Sequence, residues 1–145
     1  MKIRDMMSPD VELVDPNSTI RDAALKMRAE DIGALPVGEN DRLIGMVTDR
    51  DIVTRCTAEG HQPSLCRVRD AMSKNICYCF EDDDLDAAAH IMAEHQVRRL
   101  PVLNSKKRLV GMISLGDLSQ CESGVVKSTL QGIAEDSGLT RRMTH

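Results

Sequence analysis

Two short stretches bring together residues with usable chemistry. "GMVTDRD" (residues 45–51) and "GMISLGD" (residues 111–117) each set a hydroxyl three positions ahead of a carboxylate: Thr48 before Asp51, and Ser114 before Asp117. A carboxylate in such a place can accept from both hydroxyls of a ribose through charge-assisted bonds. A helix starting just after the hydroxyl adds free backbone N–H groups and a positive dipole end, which suit a phosphate. The same spacing is also that of a capping box, in which hydroxyl and acid tie down a helix start. The two roles are compatible, and these residues alone leave both open.

Phosphate charge needs a cation nearby, and a guanidinium fork serves better than a lysine point charge. Arg50, inside "TDRD", and Arg98-Arg99, just before "LPV", are the candidates; exposed first-turn and strand-end side chains are the plain alternatives. Lys106-Lys107-Arg108 read as a solvated turn. The two stretches are not equal, because Leu115-Gly116 stands where the first has Asp49-Arg50. An acidic run, Glu81-Asp82-Asp83-Asp84, also precedes the helix expected after it. Such a run is favoured at a helix N-terminus. Lining a cleft instead, it would repel polyphosphate or call for Mg²⁺.

Other chemistry finds little support. The five cysteines (Cys56, Cys66, Cys77, Cys79, Cys121) are odd in number and irregularly spaced, as expected of free thiols in a reducing cytosol. Cys77-x-Cys79 lacks the spacing of zinc ribbons or thioredoxin-like sites; on a strand its two thiols would share a face, leaving a metal or redox role as the remote alternative. The four histidines (His61, His90, His95, His145) make no pair with metal-ligand spacing, and His90 and His95 share a helix face poorly. Walker loop, dinucleotide fingerprint and nucleophile elbow are all missing, so the expectation is no enzyme, no required cofactor and no bound metal.

These residues need elements to hold them. The chain has 145 residues, enough for one domain or two small halves. It is 41% hydrophobic and 29% charged, but only 1% aromatic, with nine Met. The core must be aliphatic, with Met filling irregular gaps. Stacking platforms for single strands are essentially absent, and a net charge of −4 with scattered cations argues against nucleic acid. No apolar run approaches a membrane span and the N-terminus lacks a signal-peptide core, so a cytoplasmic protein is expected.

The chain repeats itself. "RDMMSPDVELV" (4–14) aligns with "RDAMSKNICYC" (69–79), and at the same offset Ala23-Ala24, Met27 and Leu35-Pro36-Val37 meet Ala88-Ala89, Met92 and Leu100-Pro101-Val102. One inserted residue later, Leu43, Gly45, Met46 and Asp51 meet Leu109, Gly111, Met112 and Asp117. Each copy reads β-α-β-β-α. A short extended segment ends near Asp15-Pro16 or Phe80-Glu81. A helix follows, with the stripe Ile20, Ala23, Ala24, Met27 or Leu85, Ala88, Ala89, Met92, capped by Thr19 or Asp84. A hairpin then joins "ALPV" to "LIGMVT" or "RLPV" to "LVGMIS"; its proline implies an edge position or a bulge. The closing helix starts near Asp49 or Leu115. The expected organisation is repeat one at 1–58, a linker at 59–68, repeat two at 69–120 and a tail at 121–145, partly helical through Val125, Val126, Leu130 and Ile133.

A duplicated unit carrying "LPV", "LIGMVTDRDI" and "LVGMISLGDL" resembles the tandem CBS-domain pair, the regulatory module named after cystathionine β-synthase. The resemblance covers residues 1 to about 120 and makes the chain look like a stand-alone CBS protein. It implies an α+β fold of two repeats packed with pseudo-two-fold symmetry, with two clefts between them that bind AMP, ADP, ATP or a similar adenosine compound. It also implies a homodimer and an effector protein that reads ligand occupancy. By the same resemblance, the base sits among Asp15, Ile20, Ile32 and Gly33 in repeat one, and Phe80, Leu85, Val97 and Arg98 in repeat two. The sites are then expected to cross over, Asp117 serving the repeat-one pocket and Asp51 the repeat-two pocket. The alternative is a ligand-independent dimerisation or adaptor module in which both Asp residues only cap helices.

Overall fold

The structure is a computed structural model and describes residues 1–120. The expected tail, with Cys121 and His145, lies outside the described residues. The chain divides into two compact units that do not follow the sequence repeats: one is Glu12–Ile76, the other Met1–Val11 with the chain from Cys77 onward.

In the Glu12–Ile76 unit, α1 (Ile20–Glu30) leads into the hairpin β1 (Ala34–Glu39) and β2 (Arg42–Thr48). Thr19 caps α1 as expected, its side chain accepting from the Asp22 N–H at 3.1 Å. Ile20, Ala23 and Met27 are buried, but Ala24 is exposed, so the buried stripe is one residue narrower than the pattern suggested. The hairpin is antiparallel and turns through Asn40 and Asp41, both left-handed. Its bulge falls between Val37 and Gly38, just past the proline. The closing helix α2 (Asp49–Ile52) runs into a π-helical turn at Val53–Thr57; α3 (Val68–Ala71) follows the loop.

The other unit repeats the plan. Strand β3 (Cys79–Phe80) precedes α4 (Leu85–His95), the hairpin β4 (Arg99–Leu103) and β5 (Leu109–Ser114), then α5 (Leu115–Leu118). Strand β3 pairs parallel with β4, and β4 antiparallel with β5. Asp84 stands at the start of α4, but its side chain makes no cap bond, contrary to expectation. Its backbone is instead bridged to Lys2, and the Leu85 N–H donates to Met1 O at 3.3 Å.

The first strand is present in only one copy. Glu81 donates its N–H to Leu103 O at 2.9 Å, extending β3 along β4. The matching residue in repeat one is Pro16, which has no N–H to give. Val14 therefore makes only an isolated parallel bridge to Val37.

Each hairpin is flanked on its far side by the leading segment of the other repeat. Ser8 exchanges two backbone bonds with Met112 (2.8 and 3.0 Å), and Ser73 exchanges two with Met46 (2.8 and 3.0 Å). Ile3, in a 3-10 turn, and Val68, in α3, are matching positions, and both are fully buried. Ile3 joins the repeat-two core with Leu85, Met92, Leu100 and Ile113, while Val68 joins the repeat-one core with Ile20, Leu35 and Val47. The two helical leads thus serve as plugs, each completing the core of the opposite copy.

Candidate functional site

The hydroxyl–acid pairs are capping boxes in both repeats. Thr48 Oγ1 accepts from the Asp51 N–H at 3.0 Å, and Asp51 Oδ2 accepts from the Thr48 N–H at 2.9 Å. Ser114 Oγ accepts from the Asp117 N–H at 3.1 Å, and Asp117 Oδ2 accepts from the Ser114 N–H at 2.8 Å. Both carboxylates are half-buried. The local sequence alone dictates this geometry, because all four groups lie within three residues. Each cap commits Oδ2 and leaves Oδ1 outside the reciprocal pair.

The segment before each hairpin meets the same helix start. Gly33 O accepts from the Asp49 N–H at 2.9 Å, and Arg98 O from the Leu115 N–H at 2.8 Å. In each unit the expected base residues Ile32-Gly33 or Val97-Arg98 therefore come next to the hydroxyl–acid pair of their own repeat. Ile32 and Val97 are half-buried, whereas Arg50, Arg98 and Arg99 are exposed. Asp15 turns its carboxylate onto its own loop, Oδ1 accepting from the Asn17 N–H at 2.8 Å. Ile20 and Leu85 are core residues, at 0% and 3% exposure. Phe80 is half-buried and meets Tyr78 edge to face, with ring centres 5.6 Å apart.

Sequence reasoning missed one coupled difference between the copies. A Cβ built at Gly33 would lie 2.8 Å from Asp49 Oδ2, so the missing side chain makes room for that carboxylate. Asp49 Oδ1 in turn accepts from the Arg50 N–H at 2.8 Å. The start of α2 thus carries its own anion. At α5 the pair is Arg98 and Leu115, and a Cβ at Gly116 would find nothing nearer than Ser114 Oγ at 3.6 Å. Comparing residues 33 and 49 together with 98 and 115 is the signal that could have shown it.

The acidic run lies against the N-terminal lead of the same unit. Ile3 N–H donates to Asp83 O and Arg4 N–H to Glu81 O, while Arg4 pairs with Asp82 and Glu81 and Lys2 with Asp82. Asp83 Oδ2 accepts from the Phe80 N–H at 3.0 Å. Lys106 and Lys107 are exposed in the second hairpin turn.

Among the described residues all four cysteines are free thiols. Burial pushes the Cys66 thiol above its ordinary range, with Cys56 and Asp70 adding to the shift. It does the same to Cys77, with Glu94 second. Cys79, whose Sγ donates to Pro101 O at 3.7 Å, is pushed from 9.0 up to about 12, chiefly by burial and then by Asp83. A raised folded value means the native state holds its proton longer than the unfolded chain. That contribution to stability is complete below pH 9.0 and is lost as pH climbs toward about 12. Urea midpoints should fall more steeply over that window in the natural chain than in Cys79→Val; equal slopes would refute the assignment.

The model of the CBS domain matches residues 3–57 and again 68–123. The chain belongs to the CBS-domain family. Among its relatives, CBS domain-containing protein YhcV of Bacillus subtilis is 41% identical over 117 residues, covering 81% of this chain and 82% of YhcV. Hypoxic response protein 1 of Mycobacterium tuberculosis is 41% identical over 118 residues, with the same coverage. A crystal structure of Hypoxic Response Protein I with two coordinated zinc ions superposes on this CBS pair with a TM-score of 0.78 at 38% identity, covering 85% of this chain and all of that one. The CBS pair of protein MJ0100, in complex with 5′-methylthioadenosine and S-adenosylmethionine, matches with a TM-score of 0.69 at 24% identity, over 83% and 94% of the two chains. At that identity the likeness is one of fold. Among the described residues of the present CBS pair, no three His, Cys, Asp or Glu side chains are grouped to hold a metal ion, and no helix is long and apolar enough to cross a membrane.

Proposed function

We propose that this CBS pair is a non-catalytic sensor of an adenosine-containing ligand such as AMP, ADP or ATP. The observation that carries the reading is the hydroxyl–acid pair found twice at matching helix starts, Thr48 with Asp51 and Ser114 with Asp117. The cap uses Oδ2 of Asp51 and Asp117, and the remaining lone pairs of each carboxylate serve the ribose hydroxyls. Arg50, Arg98 and Arg99 are exposed cations for phosphate. Asp49 beside Arg50, against Leu115-Gly116, makes the two repeats unequal in phosphate preference. Occupancy then shifts the packing of a homodimer, read by an effector protein, to the extent that the ligand favours one arrangement over another.

The test is thermal melting with AMP, ADP, ATP, S-adenosylmethionine and NADH. A ligand at 100 times its dissociation constant adds roughly 2.7 kcal/mol, a rise of roughly 5–10 °C. Asp51→Asn and Asp117→Asn keep an acceptor for the cap but lose the charge. Each should melt near the natural protein without ligand and lose most of the ligand-induced rise. No rise with any ligand, or a full rise in both variants, would leave the adaptor reading standing instead.

A further inference from the structure

Between the π-helical turn and α3 the chain borders a cavity of about 430 Å³, lined by Arg55, His61, Gln62, Leu65, Cys66 and Asp70 with Gly60. That size falls within the roughly 300–1,000 Å³ of small-ligand sites. None of these residues belongs to the hydroxyl–acid pairs. The backbone of the wall is fixed by its own bonds. His61 N–H donates to Cys56 O at 3.0 Å, and the Leu65 and Cys66 N–H groups donate to Gln62 O at 2.9 and 3.0 Å. Arg21 N–H, on α1, donates to Pro63 O at 3.1 Å and holds the loop from the other side. A wall formed in advance leaves a ligand little ordering cost to meet.

The cavity carries both signs of charge, and they do not pair with each other. Arg55 Nη1 donates to Ala71 O at 3.0 Å and to Met72 O at 3.1 Å, at the C-terminal end of α3. Nη1 has two hydrogens, and both are used in this way. Nε and Nη2 make no hydrogen bond or ion pair among the described residues. Together they form the edge of the guanidinium fork that takes a carboxylate through two parallel bonds. Asp70, one residue before Ala71, lines the same cavity, and its carboxylate has no hydrogen-bond or ion-pair partner among the described residues. Leu65 adds the most exposed large apolar side chain of the described residues, at 78%, beside Cys66 at 8%. We propose that this cavity binds a free α-amino acid with an apolar side chain. Its carboxylate lies on Nε and Nη2 of Arg55, its ammonium on the Asp70 carboxylate, and its side chain against Leu65 and Cys66. A simple anion would meet the Asp70 charge and a simple cation the Arg55 charge, whereas a zwitterion satisfies both.

The test titrates the full chain with L-leucine and L-methionine, read by calorimetry and by backbone amide NMR shifts. The expected result is saturable binding with a dissociation constant of about 1 mM or tighter. The largest shifts should fall at Gly60, His61, Gln62, Leu65 and Cys66. Leucinol, which lacks the carboxylate, and isocaproate, which lacks the ammonium, should each bind about tenfold or more weakly. Arg55→Lys keeps a donor for the α3 carbonyls but loses the fork, and Asp70→Asn keeps the shape but loses the charge. Each should weaken L-leucine binding by a similar factor. Without ligand, Asp70→Asn should melt with the natural protein, because the carboxylate has no bond to lose. If Arg55→Lys does not fold, Asp70→Asn and the two analogues decide without it. The proposal is overturned if neither amino acid binds saturably in the millimolar range, or if leucinol or isocaproate binds as tightly as L-leucine. Full affinity in Asp70→Asn, or shifts centred outside residues 55–70, would overturn it as well.

Discussion

Ile3→Ala is expected to destabilise the protein by about 2–4 kcal/mol, and to do so in the second repeat although residue 3 opens the first. Ile3 is fully buried in the cluster built by Leu85, Ala88, Met92, Leu100, Ile113 and Leu118. Truncation removes that burial and leaves a cavity between elements which the chain on either side cannot close. Backbone bonds from Ile3 to Asp83 and from Arg4 to Glu81 keep the lead in place, so the hole is not collapsed by its departure. Hydrogen exchange locates the damage: protection should fall across residues 77–118 more than across 12–76. Val68→Ala should give the reverse pattern at smaller cost, since Val68 plugs the repeat-one core. Loosening that followed the sequence repeats instead would contradict the exchange of leads.

Gly111→Ala is expected to cost about 1–3 kcal/mol, and Gly45→Ala a similar amount. In an ordinary strand, replacing Gly by Ala is favourable by a fraction of a kcal/mol, so here the sign itself is informative. A Cβ at Gly111 would lie 2.7 Å from Ser8 O and 2.7 Å from the Met7 sulfur. At Gly45 it would lie 2.8 Å from Ser73 O and 2.9 Å from the Met72 sulfur. A flexible Met can move aside, but a carbonyl held in a reciprocal backbone pair cannot do so without breaking that pair. Gly116→Ala is the control, because its Cβ has ordinary room and the residue is helical. Equilibrium urea unfolding without ligand should rank Gly111→Ala and Gly45→Ala well below the natural protein, and Gly116→Ala at or above it. Equal behaviour of all three would remove the packed lead as the reason for the strand glycines.

These glycines mark the boundary between local and long-range information. The hydroxyl–acid spacing, the Thr19 cap, the starts of α2 and α5 and the polar turn at Asn40-Asp41 all depend on groups within a few residues of one another. For such features the chain needs no distant partner, and reading them in order is enough to place them. The aliphatic stripe of α4 held because it is governed by helical period, and the tandem repeat held because each copy builds the same hairpin.

The rest depended on partners far away in the chain. Asp84 has the type and position of a cap, yet its surroundings belong to Met1 and Lys2, and the side-chain bond is not made. Ala24 and Ala89 are matching letters in matching helices, but one is exposed and the other buried. Gly33 and Asp49 look unrelated until a carboxylate is seen to fill the space a side chain would take. The paired Met-Ser segments at 7–8 and 72–73 show no periodicity that names the strands they cover. The caps at Thr19, Thr48 and Ser114 and the turn at Asn40-Asp41 close through neighbours, so residue order decided them; the exchange of leads, the need for Gly45 and Gly111 and the place of the Asp49 carboxylate beside Gly33 arise where distant backbone meets, and folding alone decided those.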